Sequence, residues 1–404
     1  MNTLSPYLAT ILAFLSVAGD SRTSSAPRHD LDPAKLPEIR ARMQSFVDNG
    51  TIAGAVTLVA RHGEIASIES VGLADIAERR PMQEDSLFWI ASMTKPITAV
   101  AILMLQDKGK LWVDDPVEKH LPEFKGQWLL DSQTNGVACL ERPPRPVTIR
   151  HLLTHTSGLD EMPAPRTKSS LAELVVGNSQ RPLRFPPGDR WSYSNAGINT
   201  LGRIVEVVSG EDFADFVETR IFKPLGMRDT TFWPTPAQAK RLAKSYQPKA
   251  NGKELEEVGI SFIQGKLGDR SRTPKPAGGL FSTARDYYRF CQMMLNGGTW
   301  NGKRLLSQEG VTAMTRTQTA DIKTGFTEGM SFGFGFAVVK NPTGVTQMLS
   351  PGTFGHGGAY GTQAWIDPKK DMVFLLMIQR AKLPNADASD VRRAFQEAAV
   401  SAIK

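Results

Sequence analysis

Ile97 to Gln106 reads ITAVAILMLQ, ten residues with almost nothing polar on any side. A helix that is apolar all round has no face to offer water and has to be enclosed by the rest of the chain. Gly109 marks its stop. Whatever sits at its start is therefore fixed at the end of a core element. The residues there are Ser92, Met93, Thr94, Lys95 and Pro96. The sequence predicts a helix beginning at Ser92, because proline is tolerated in a first turn whose amides lack partners anyway. Lys95 then lies one turn from Ser92 on the same face, and the serine hydroxyl sits where free amides and the helix dipole favour developing negative charge.

A serine hydroxyl is a poor nucleophile without a base, and a lysine is no base until it loses its proton. Lowering a lysine pKa from ~10.4 to ~7 takes about 4.6 kcal/mol of differential stabilisation. Burial beside an apolar helix supplies part of that. The alternative keeps Lys95 charged and uses it to lower the pKa of a nearby tyrosine. The spacing does not choose between them. It also has a control within the chain: Ser401 and Lys404 share it but precede no buried helix.

Two further patterns stand at element boundaries. Tyr193-Ser194-Asn195 follows the breaker-rich Phe185-Pro-Pro-Gly188 and precedes a helix with Ile198, Leu201, Ile204, Val205 and Val208 on one side. His356-Gly357-Gly358 opens a late strand before Ala359, and its glycines permit close backbone approach by a ligand.

Strand-like runs occupy both ends of the chain. AGAVTLVA (53–60) and IASIESVGLA (65–74) flank the loop Arg61–Glu64, and 332–340, 358–366 and 372–379 come late. Helices are expected at 35–49, at 389–403, and after Thr283, where Thr-Ala-Arg-Asp matches a capping box. The stretch 131–146 reads as an exposed hairpin and 245–279 as loop. The pattern is α/β (α+β): one sheet built from both termini and flanked by helices, plus a helical lobe. The sheet lobe takes about 31–91 and 280–404, and the helical lobe about 92–279.

With 41% hydrophobic and 22% charged residues the chain is an ordinary globular one, and its net charge of +7 is scattered rather than gathered into a nucleic-acid-binding run. Cys139 and Cys291 form no metal-binding spacing, and whether they pair is open. No cofactor fingerprint is present. Tyr7 to Gly19 is apolar but shorter than the ~20 residues of a stable membrane span. With small residues at Ser16-Val17-Ala18 it reads as a secretory signal peptide, although no Lys or Arg precedes it. Residues 1–30 are set aside from the fold, and a periplasmic or secreted protein is expected. His151 and His155 are read as structural, and His29, His62 and His120 as surface positions.

The three patterns, in this order, resemble the β-lactamase-like serine hydrolases: class C β-lactamases, D-alanyl-D-alanine peptidases and the β-lactamase-fold carboxylesterases. HLLTHTSGL (151–159), PPGDRWSYSNAG (186–197) and GHGGAYG (355–361) extend the likeness over roughly 35–400. It implies an antiparallel sheet of five or more strands with an all-helical lobe, an acyl-enzyme on Ser92, acid/base work shared by Lys95 and Tyr193, and Asn195 orienting Lys95 or a substrate amide. It also implies an oxyanion hole from the amides of Ser92 and Ala359, such donors being worth ~3–4 kcal/mol each. One departure matters. Family β-lactamases carry Lys-Thr-Gly where this chain has His356-Gly357-Gly358, and a histidine of pKa ~6.5 is mostly neutral at pH 7. That favours a hydrolase of small esters over one of penicillins. A β-lactamase or penicillin-binding peptidase acting on amides or β-lactams is the first alternative. An inactive homologue serving as a scaffold is the second.

Overall fold

Gly54–Arg61 (GAVTLVAR) and Met372–Met377 (MVFLLM) are aliphatic almost throughout, and strands covered on both faces read as such continuous apolar runs. In the computed structural model, which describes residues 29–161, 169–250, 252, 254–325 and 327–404, these two strands are neighbours inside an eight-stranded sheet. Its order is Met330–Phe332, Ala337–Val339, Phe354–Gly357, Gln363–Asp367, Met372–Met377, Gly54–Arg61, Glu64–Asp75 and Arg80–Pro81. Every pairing is antiparallel, with Val56 opposite Met377 and His356 opposite Ala364. The signal-like run at 7–19 lies outside the described residues.

Alternation along the central strands sends side chains to two cores. Val59, Phe374 and Leu376 pack under the terminal helices Pro37–Asp48 and Asp390–Ser401, against Ile39, Met43, Phe395 and Ala399. Leu58, Leu375 and Met377 face the helix Ala284–Leu295 and a larger core that runs on into the middle of the chain. There the apolar helix Thr94–Asp107 is buried from Thr94 to Leu105 and packs against Asn195–Ser209. Each fully buried aliphatic side chain is worth roughly 1.5–3 kcal/mol, so this helix is a main anchor of the fold.

Several expectations need correction. The helix proper starts at Thr94; Ser92 sits in a preceding 3-10 turn, Ala91–Met93. Pro96 has no amide to bond the Ser92 carbonyl, so regular helix cannot begin there, and Ala91 adopts a left-handed φ of 46°. The late run 332–340 is two strands joined by a turn in which the Gly333 amide donates to the Phe336 carbonyl at 2.9 Å. Phe354–Gly357 is the strand that carries the third pattern, so His356 and Gly357 end a strand rather than open one, and Ala359 lies in the turn before Gln363–Asp367. The Thr283 hydroxyl caps its helix, but the Asp286 carboxylate turns away to the Asp229 amide and Arg289, so the box is half made.

The stretch 245–279 also contains a hairpin, Ser245–Pro248 with Leu255–Val258. Its cross-strand pairs are polar, Gln247 with Glu256 and Lys249 with Glu254, so hydropathy does not register it. The expected exposed hairpin is present as Leu129–Thr134 and Val137–Glu141. Cys139 on it is exposed and free, and Cys291 is buried and free. His62 is exposed beside Asp371, but His29 and His120 are half-buried, the latter drawn in by Asp115 at 3.0 Å. Among the described residues no helix is long and apolar enough to cross a membrane.

Candidate active site

Ser92 is presented by its short turn at the mouth of the buried helix. Lys95, one turn on, is fully buried. Its Nζ lies 3.1 Å from Ser92 Oγ, 2.9 Å from Asn195 Oδ1 and 2.6 Å from the Ala277 carbonyl. The Tyr193 ring passes 4.6 Å from the same nitrogen, and the Tyr193 hydroxyl hydrogen-bonds to Ser92. Three segments far apart in sequence therefore converge on the Lys95 amine, beside the Ser92 hydroxyl. The control pair does nothing comparable: Ser401 Oγ donates to the Ala398 carbonyl at a helix end.

Burial decides the electrostatics. It lowers the Lys95 pKa from 10.5 to about 7, with the Glu161 carboxylate pulling the other way. It drives the Tyr193 hydroxyl far above its usual range, against the smaller effect of the Ser92 hydrogen bond. It lowers His356 to about 3, with Lys95 acting in the same direction. His356 Nδ1 meets the Gly357 carbonyl at 2.7 Å, so Nδ1 carries the proton and the ring is neutral. No fixed cation stands at that position.

Gly358 is where the third pattern touches the first. A Cβ there would fall 2.7 Å from the Ile90 carbonyl, beside the turn that carries Ser92. Gly357 is equally closed in by Asp387 and Gln363. Only glycine lets this strand end lie so close to the turn Ala91–Met93, and Ala359, the residue that follows, is exposed.

Asn195 begins the helix Asn195–Ser209, whose first turn is capped by the Ser194 hydroxyl accepting from the Gly197 amide at 3.1 Å. Besides accepting a hydrogen bond from Lys95 at its Oδ1, Asn195 donates through Nδ2 to Glu161 Oε2 at 3.3 Å. Glu161 and the Ala277 carbonyl were not singled out from the sequence. A backbone carbonyl carries no residue signature, and Glu161 follows a motif read as structural. His155, also read as structural, is buried against the Tyr193 ring with centroids 4.6 Å apart. Among the described residues no group of three or more His, Cys, Asp or Glu side chains is placed to hold a metal ion.

The arrangement sets a serine hydroxyl beside a buried amine and a phenol, the groups that nucleophilic catalysis by serine calls for, and comparison with known proteins points the same way. The family model described as Beta-lactamase matches residues 39–399. Esterase EstB of Burkholderia gladioli is 32% identical, the match covering 87% of this chain and 92% of the esterase. Penicillin-binding protein 4* of Bacillus subtilis is 30% identical over 81% of this chain and 67% of its own length. The solved structure of EstCE1, titled a hydrolase with promiscuous acyltransferase activity, superposes with a TM-score of 0.75 at 26% identity, covering 92% of this chain and 98% of that one. A sequence match along nearly the whole fold, on top of this convergence at Ser92, establishes that the chain belongs to the beta-lactamase family of serine hydrolases.

Proposed function

We propose that the protein is a carboxylesterase-like hydrolase of small, uncharged esters that works through an acyl-enzyme on Ser92. The observation that carries this is the set of partners around Lys95. A neutral amine has two N–H bonds and one lone pair. The Ala277 and Asn195 oxygens take the two hydrogens, which leaves the lone pair for the Ser92 hydroxyl at 3.1 Å. With its pKa near 7, much of Lys95 is in that form at neutral pH.

In the proposed sequence, the Ser92 proton moves to Lys95 as Oγ bonds to the ester carbonyl carbon. The amides of Ser92 and Ala359 hold the oxyanion. The carbon–oxygen bond to the alcohol then breaks. Tyr193, which burial keeps protonated, donates to the departing alkoxide and is resupplied from Lys95. Water repeats the steps on the acyl-enzyme. Asn195 holds Lys95 in register throughout.

The names of the esterase relatives support the ester preference. The neutral His356 supports it independently, since a carboxylate-bearing β-lactam meets no fixed positive charge there. Turnover of β-lactams or D-alanyl peptides is the second reading, supported by the relatives named as penicillin-binding protein and carboxypeptidase. Parallel assays of a short-chain nitrophenyl ester and nitrocefin separate the two. Ester hydrolysis that disappears in Ser92→Ala is the expected result; efficient nitrocefin turnover without ester turnover overturns it. A fluorophosphonate probe should add mass to the wild type but not to that variant, and an unlabelled wild type would favour a scaffold role. The run at 7–19 further supports export to the periplasm or medium, which an alkaline phosphatase fusion to residues 1–30 tests by its activity outside the cytoplasm.

A further inference from the structure

His155 holds both backbone neighbours of Tyr193. Its carbonyl accepts from the Ser192 amide at 2.8 Å. Its ring Nδ1 accepts from the Ser194 amide at 3.1 Å. Between these two bonds the imidazole lies on the Tyr193 ring, centroids 4.6 Å apart and planes tilted by 35°. The clamp is itself anchored. The His155 amide donates to the Leu152 carbonyl at 3.4 Å, and Phe332 meets the imidazole edge-on at 5.1 Å.

Two features show that this arrangement is selective for the residue. His155 has a left-handed φ of 59°, a conformation that few side chains other than Asn, Asp and His adopt readily. An Nδ1 that accepts a hydrogen bond also carries no proton, so the ring has to stay neutral, and Lys95 stands nearby. Complete burial and that same lysine keep it so.

We propose that His155 is the positioning residue of the reaction, setting where the Tyr193 hydroxyl stands relative to Ser92 by gripping residues 192 and 194 and stacking on the ring between them. The proposal rests on Tyr193 being the proton-transfer group. A displacement of about 1 Å at such a group costs on the order of 100-fold in rate. His155 is buried and offers no surface to a substrate, so its removal is expected to act on the chemical step and to leave substrate binding alone.

The test compares His155→Leu, which keeps bulk but removes the acceptor, with His155→Asn, which restores an acceptor and tolerates the left-handed backbone. Both are assayed on a nitrophenyl ester after active-site titration, so that misfolded protein is not counted. The Leu variant is expected to lose about 10- to 100-fold in kcat with KM within about twofold, and the Asn variant to recover a clear part of the loss. Unchanged kcat per titrated site in the Leu variant overturns the proposal, as does a loss that Asn does not relieve. Tyr193→Phe and the double variant close the cycle. If His155 acts through Tyr193, adding His155→Leu to Tyr193→Phe costs nothing more. Additive losses on an impaired Tyr193→Phe sink the His155 link alone. A fully active Tyr193→Phe sinks the role of Tyr193 and this inference with it.

Discussion

Lys95 is divided between its two protonation states at pH 7, because burial holds its pKa at about 7. In the proposed mechanism the neutral form is the base, so kcat/KM should rise with pH through a limb near 7 and then level off. Glu161 raises this pKa. Glu161→Gln should therefore move the limb to lower pH, by a fraction of a unit as judged from the pH–rate profile; a shift to higher pH would contradict the assignment. The same burial costs stability. Lys95 binds its proton more weakly folded than unfolded, so the cost is fully present below pH 7 and is relieved as pH rises from about 7 towards 10.5. Lys95→Met should be inactive yet melt higher than wild type at pH 7, with the gap narrowing at pH 9. At about 1.4 kcal/mol per unit the removed penalty is several kcal/mol, partly offset by the lost hydrogen bonds. The Ser92–Lys95 relation was legible because it is local: three residues apart on one helical turn. The Ala277 carbonyl was not, since its place beside Lys95 is a product of tertiary structure.

Elements were legible where hydropathy alone defines them and failed where glycine geometry intervenes. The central strands and the buried helix follow directly from GAVTLVAR, MVFLLM and ITAVAILMLQ. The error at 332–340 arose because SFGFGFAVV alternates like one strand, whereas Gly335 takes a φ of 72° and lies against Ala99 of the buried helix. The third pattern was assigned to the start of the wrong strand for a related reason: nothing local says that Gly358 leaves the sheet to meet the Ile90 carbonyl. That contact carries a prediction. In Gly358→Val a Cβ would lie 2.7 Å from the Ile90 oxygen and 2.1 Å from Thr362 Oγ1. The turn bearing Ala359 has to move away from Ser92. Activity should fall by about 100-fold for a shift of roughly 1 Å, while overpacking costs about 1–3 kcal/mol. Thermal melting and ester kinetics on the same sample check both; wild-type kcat/KM would show that the contact is incidental.

On the scale of the molecule, the sheet joins strands from both ends of the chain, and the helices between them carry two of the three segments that meet at Ser92. The hairpin Leu129–Thr134 and Val137–Glu141 stands outside this framework. Among the described residues its base is tied in where the Leu130 amide donates to the Leu183 carbonyl at 2.9 Å and the Leu183 amide to the Trp128 carbonyl at 2.7 Å, and its outer residues are exposed. Replacing Ser132–Cys139 by an Asn-Gly turn should leave stability within about 0.5 kcal/mol and ester turnover unchanged, as calorimetry and kinetics would show. A large loss of either would mean that the hairpin supports the core.

The pairing of Gly54–Arg61 with Met372–Met377 has a consequence for synthesis. A chain emerging from the ribosome exposes Ser92 early, but the centre of the sheet stays open until the last strand has left the exit tunnel. Pairing across so long a separation is slow to form. His356 and Ala359 also arrive only with that late segment. A chain truncated before that segment carries Ser92, Lys95 and Tyr193 without the strands that complete the sheet.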